Sequence, residues 1–358
     1  MTFKPPIMTR RRALWMMGGA TGGLMLHACT SPSSTSTSST DTSSETGDDA
    51  ASDLVSGQSG STLWIGYTPM YIAIEKGFFQ EMGFDLEYNI FGASGEADAA
   101  FSAGRIDAQS SVTSEAVALA SKGVDYRIVQ IADTSLGGDG ILARNSVADV
   151  ADFKGREIAV EVGAVSHFFL LQVLEEAGLT ADDVTITNLT PDAAASAYTA
   201  DRVDIAVTYS PFLKQANDAQ TDGRVIYDTS KMPTAIVDAY MYNTEFVEAN
   251  PAAIQAHIDG IYKAIDFLDT NTDEALELAG KWLELSPEDV ATELQGVDLT
   301  NPENNVKMLS DESSDIYLVD HMSSLGDFLS SQGQIESAPT PETFAGLIDP
   351  QFVKAALG

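Results

Sequence analysis

Twice along this chain, short apolar runs of strand character alternate with helical runs over connections of a few residues, and that alternation most limits the fold. In the first set, 63–67, 85–91, 106–112 and 126–132 read as strands, with helices at 97–103 and 114–122 between them. In the second, 157–161, 184–189 and 204–208 read as strands, with helices at 166–177 and 193–200. Such alternation over short links predicts α/β architecture, with parallel sheets covered by helices on both faces. From Pro251 onward the pattern is helical, over 252–268, 272–283 and 315–330. Strand-like runs also leave each set, at 140–144 and at 235–241, which divides the chain into two doubly wound lobes. Two crossing strands make a hinge, with the helical tail expected to pack back on lobe one. Ligands in open α/β sheets sit beyond the carboxyl ends of the strands, so two facing lobes would clamp something small.

The first residues carry a different message. Arg10, Arg11 and Arg12 precede an uncharged, Gly-rich run from Ala13 to Leu26, and Leu26-His27-Ala28-Cys29 places a small residue before the one cysteine in the sequence. The apolar run is shorter than the about 20 residues that a membrane-crossing helix needs. This block resembles a bacterial lipoprotein signal, and Thr9-Arg10-Arg11-Arg12-Ala13-Leu14 resembles a twin-arginine motif. The resemblance implies removal of residues 1–28, lipid attachment at Cys29, and a protein held on the periplasmic side of the inner membrane. Export would follow a twin-arginine-like or general secretory route. A lone cysteine cannot build a disulfide framework, which agrees with a lipidated one. Residues 29–61, rich in Ser, Thr, Asp and Gly, are expected to form a disordered tether. Lobe one is then 62–143 plus 239–358, and lobe two 144–238.

Fifty-three acidic and nineteen basic residues give a net charge of −34, and loss of Lys4, Arg10, Arg11 and Arg12 with no acid takes it to −38. Such a field repels nucleic acid and anionic lipid heads, so neither is an expected partner beyond the lipid on Cys29 itself. No zinc-type cysteine pairing, metalloprotease pattern, nucleophile elbow or phosphate loop occurs, and His27, His167, His257 and His321 are scattered. An enzyme is not expected, and neither is a cofactor or a bound metal.

Several segments are recognisable in order. Thr68-Pro69-Met70-Tyr71-Ile72-Ala73, Glu75-Lys76-Gly77-Phe78-Phe79 and Gly83-Phe84-Asp85-Leu86-Glu87 come first. Gly104-Arg105-Ile106-Asp107-Ala108, Asp152 to Val160 and Arg202 to Pro211 follow. Together they resemble the nitrate/sulfonate/taurine-type substrate-binding proteins of ABC importers, over nearly all of 62–290. The resemblance implies the type II periplasmic-binding-protein fold, a small-molecule solute, and permease and ATPase subunits as partners of a monomeric binding protein. It also implies that loops at strand ends line the cleft: Tyr67, Thr68, Ser94, Thr113 and Ser114 in lobe one, and Ser166, His167 and Tyr209 in lobe two. Asp139 and Asp238 lie near the crossing strands. Each has a plainer role open to it. Ser111, Thr113 and Ser166 are good helix N-caps, His167 could sit satisfied on its helix, and the two aspartates could pin the hinge.

Charge narrows the solute. An anion calls for Arg, Lys or free helix amides, and these loops offer no base. They offer Asp139, Glu161, Asp238 and Glu115 with the rings of Trp64, Tyr67, Tyr209 and Tyr240, a set suited to a small cation. Gly137 to Ile141, Val165 to Leu171 and Ile236 to Asp238 resemble the urea- and guanidine-associated branch of these binders. The expected solute is therefore guanidinium or a similar nitrogen compound. Nitrate or sulfonate, a pyrimidine or thiamin precursor, and an enzyme resembling the yeast-type pyrimidine synthase remain as alternatives, as does a ligand-sensing role.

Overall fold

The computed structural model describes residues 54–357. The export block, Cys29 and residues 29–53 of the expected tether lie outside them. The strands are β1 (Val55–Ser61), β2 (Phe84–Ile90), β3 (Ala108–Val112), β4 (Tyr126–Ser135), β5 (Asp139–Arg144) and β6 (Glu157–Val160). They continue as β7 (Thr185–Asn188), β8 (Ile205–Tyr209), β9 (Gly223–Asp228), β10 (Val237–Asn243) and β11 (Val297–Leu299). One sheet has six strands in the order β11-β4-β10-β3-β1-β2, the other five in the order β7-β6-β8-β5-β9. Each is the centre of one lobe.

The sheets are mixed rather than purely parallel, and chain direction explains why. β1 runs parallel to β2 and β3, and β6 parallel to β7 and β8. β5 and β10, which bring the chain across from the opposite lobe, lie antiparallel to their neighbours. A strand that feeds a helix ends at the gap between lobes, whereas a strand that arrives across the gap begins there. The crossings are short: Ser135 to Asp139 one way, Asp228 to Val237 the other. They are tied together, Ser135 N donating to the Ile236 carbonyl at 3.1 Å and Ser135 Oγ lying 2.7 Å from Thr229 Oγ1. This places Asp139–Arg144 in lobe two, five residues earlier than the expected boundary at 144.

Composition misled at the start of the fold. Val55–Ser61 falls in the Ser/Gly-rich stretch assigned to the tether, yet β1 is an interior strand of the first sheet. Its small residues are what the packing requires. A Cβ on Gly57 would stand 2.8 Å from the ring of the buried Phe84, and one on Gly60 would stand 2.4 Å from Phe91. Gly57→Val is therefore expected to cost ~1–3 kcal/mol by overpacking. Urea unfolding should show a lower midpoint at unchanged slope, and an unchanged midpoint would mean that Phe84 yields freely. Conversely the run 63–67, expected as a strand, is a short 3-10 turn over Ile65–Tyr67. Its apolar side chains are buried as a strand's would be, but Trp64 Nε1 and the Tyr67 hydroxyl donate to Asp133 and Asp238 instead of the backbone pairing in a ladder.

The tail is helical as expected and packs on lobe one. Pro251–Thr270 and Thr272–Leu283 lie against the Thr68–Lys76 helix, and Leu318–Ser331 lies against Thr113–Ser121. No helix among the described residues is long and apolar enough to cross a membrane.

Candidate functional site

The ends of strands from both sheets meet at one cleft. Thr62 follows β1, β3 delivers Gln109 to Val112, and β8 ends with Tyr209, while Asp139 is the first residue of the incoming β5 and Asp238 the second of β10. Trp64 and Tyr67 cover one side. The cleft holds about 420 Å³ of atom-free space, its mouth included.

Its walls are acidic and buried. Asp238 is 2 % exposed; its Oδ1 accepts from the Tyr67 hydroxyl at 2.6 Å, and its Oδ2 has no partner. Asp139 is 3 % exposed, with Oδ2 likewise unpartnered. Burial pushes its carboxyl up to about 7, against a Ser135 hydrogen bond that lowers it. Burial raises Asp238 further, reinforced by the charges of Asp133, Asp139 and Glu115. Asp133, beneath Trp64, is pushed up to about 8 by burial. No basic residue stands among the described residues of the cleft wall. Trp64 and Tyr209 meet edge to face across the gap, with centroids 5.9 Å apart.

Two glutamates cross the cleft. The Ser94–Ser102 helix of lobe one has Ala93 at its N-cap, and the Val165–Glu176 helix of lobe two has Ala164; neither receives a side-chain cap from its own N-cap residue. Alanine cannot cap, which leaves the first amides of each helix to find partners elsewhere. Glu161 of lobe two accepts from Ser94 N at 3.0 Å, and Glu115 of lobe one accepts from Val165 N at 2.9 Å. Each lobe thus caps a helix of the other. Burial pushes Glu115 up to about 8 and Glu161 up to about 7, although these amide bonds pull both down.

Of the residues the sequence singled out, Tyr67, Ser94, Asp139, Tyr209 and Asp238 line this cleft. Thr68, Thr113, Ser114, Ser166 and His167 are not among its lining residues. Thr68 Oγ1 donates to the Ile65 carbonyl at 2.7 Å, Thr113 Oγ1 lies 3.0 Å from His321 Nε2, and the Ser114 hydroxyl donates to Glu115. Gly163 N donates to His167 Nδ1 at 3.3 Å, and the buried Ser166 Oγ is unpartnered. The capping roles open to Thr113 and Ser166 are not taken either, since Val112 and Ala164 hold those N-cap positions. Thr62, Gln109 and Ser110 line the cleft without having been expected there. Thr62 follows β1, which composition assigns to the tether, whereas Gln109 and Ser110 lie inside β3, within the strand read at 106–112, and no loop signal marks them.

Two α/β lobes joined by a short double crossing, with strand ends meeting at one cleft, make up the periplasmic-binding-protein fold. The chain belongs to the NMT1/THI5-like family, whose model matches residues 64–275. A protein of Brucella abortus named as a binding protein is 26% identical over 281 residues, covering 76% of this chain and 84% of its own length. A protein of Bacillus subtilis named for binding aliphatic sulfonates is 25% identical over 296 residues, 81% of this chain and 85% of its own. The alkanesulfonate-binding protein of Xanthomonas axonopodis, solved with MOPS bound, superposes with a TM-score of 0.68 at 18% identity, covering 84% of this chain and all of that one. These relatives are binding proteins, the class expected here in place of an enzyme.

Proposed function

We propose that this protein is the extracytoplasmic substrate-binding component of an ABC importer and that its solute is guanidinium or a similarly small nitrogen cation. On this reading the export block and a lipid on Cys29 keep the clamp beside its permease and ATPase. The family match and the binding proteins among its relatives support the first part. The cleft chemistry supports the second. Asp139, Glu161 and Asp238 each keep one buried carboxylate oxygen without a partner, and no base stands opposite them among the described residues. A sulfonate or nitrate would enter that cavity against its charge. A planar cation with N–H donors around its rim would satisfy those oxygens and could rest on the faces of Trp64, Tyr67 or Tyr209. A metal ion fits less well, because no group of three or more His, Cys, Asp or Glu among the described residues is placed to hold one.

Calorimetric titration tests the assignment. The best small ligands reach about −1.5 kcal/mol per heavy atom, so a four-atom cation is expected near −6 kcal/mol, in the tens of micromolar. Nitrate and an alkanesulfonate are expected to give no saturable heat under the same conditions. Saturable binding of either anion, with none of guanidinium, would sink the proposal.

A further inference from the structure

We propose that Glu115 and Glu161 determine the sign of the solute, by occupying from across the cleft the two helix N-termini at which an oxyanion would otherwise be held. The inference rests on the cleft being the solute site, as above, but not on guanidinium being the solute.

Backbone amides at a helix start, with the helix dipole behind them, are a ready anion site. Two of them line this cleft, at Ser94 of a nine-residue helix and at Val165 of a twelve-residue helix. Alanine at both N-cap positions means that neither helix satisfies these amides with a neighbouring side chain. Both are taken instead by a carboxylate of the opposite lobe, Glu161 at Ser94 and Glu115 at Val165. The groups around them are also acidic: Asp98 bears on both glutamates, and Asp192 on Glu161. Glu161 is 8 % exposed, and its second oxygen has no partner. Carboxyl groups of the protein itself therefore already fill both anion positions. The same two bonds draw the lobes together, since each joins one lobe to the other.

The decisive variants are Glu161→Ala, Glu115→Ala and the double substitution, compared with Glu161→Gln and Glu115→Gln, whose amide oxygens still accept from the same N–H groups. Nitrate is titrated at about pH 5, below the values near 7 to 8 to which burial pushes Asp139, Glu161 and Glu115, with Asp238 raised in the same direction, so that these carboxyls are largely neutral and the variants differ in whether the helix amides are occupied. The alanine double variant is expected to gain at least about tenfold in nitrate affinity over the wild type, and the glutamine variants to gain nothing. Circular dichroism establishes that each variant is folded. Should the double variant be lost, the single Glu161→Ala is decisive, because it alone frees the Ser94 amide. Folded alanine variants without gain would overturn the inference and leave a guanidinium reading intact. Nitrate gain in these variants, with guanidinium failing to bind the wild type, would uphold it and remove that reading. Tight nitrate binding by the wild type would overturn both.

Discussion

Asp238→Asn is expected to weaken guanidinium binding about 10- to 100-fold while leaving the protein folded and at least as stable. A hydrogen bond to a charged group contributes about 1.5–3 kcal/mol, which sets that range. The substitution keeps the side chain's size and an oxygen for the Tyr67 hydroxyl, which donates to Oδ1 at 2.6 Å. What it removes is the charge. That charge is a burden on the ligand-free fold, since burial and the neighbouring Asp133, Asp139 and Glu115 all raise the Asp238 pKa. Asp238 pairs in register with Val112 and Asp133 at the start of β10, so a hinge role must be separated from a binding role. Calorimetry and thermal unfolding do so together. Unchanged affinity with a lowered melting temperature would make Asp238 a hinge residue and nothing more.

Much of this architecture was legible because each lobe repeats one simple pattern. The runs read as strands at 85–91, 126–132, 157–161 and 204–208 correspond to β2, β4, β6 and β8, within a few residues at each end. Apolar periodicity carries that signal, and it survives without any tertiary knowledge. It fails where packing overrides composition. β1 looks like a linker because its glycines are dictated by Phe84, Phe91 and Phe246 pressing on it, rings that come from elsewhere in the chain. Ile65–Tyr67 looks like a strand because it is apolar, although it is a buried turn over the cleft. At the site, Asp139 and Asp238 were visible as acids beside the crossing strands. The interlobe pairs were not. Ala93 and Ala164 are inconspicuous residues, and what they reveal is an absence of capping that only the opposite lobe explains.

Proton linkage gives the second large effect: affinity for guanidinium is expected to rise about tenfold between pH 6 and pH 8 for each carboxylate that must ionise on binding. Burial has pushed Asp139 and Glu161 up to about 7 and Glu115 up to about 8. Below those values the cleft carries protons that a cation must displace, and above them it does not. Guanidinium keeps its charge throughout this range, so the dependence belongs to the protein. Without ligand the sign reverses. A carboxyl whose pKa is raised by folding binds more protons folded than unfolded between its ordinary value near 4 and its raised one, so stability falls as pH climbs through that window. The ligand-free protein should therefore melt at a higher temperature near pH 5 than near pH 8, while the stabilisation added by saturating guanidinium grows in the same direction as the pH. Asp238→Asn should make the dependence of affinity on pH shallower by one proton if Asp238 ionises on binding. An affinity that does not change across this range would mean that the buried carboxyls stay protonated in the complex, and that the solute is held as a neutral molecule.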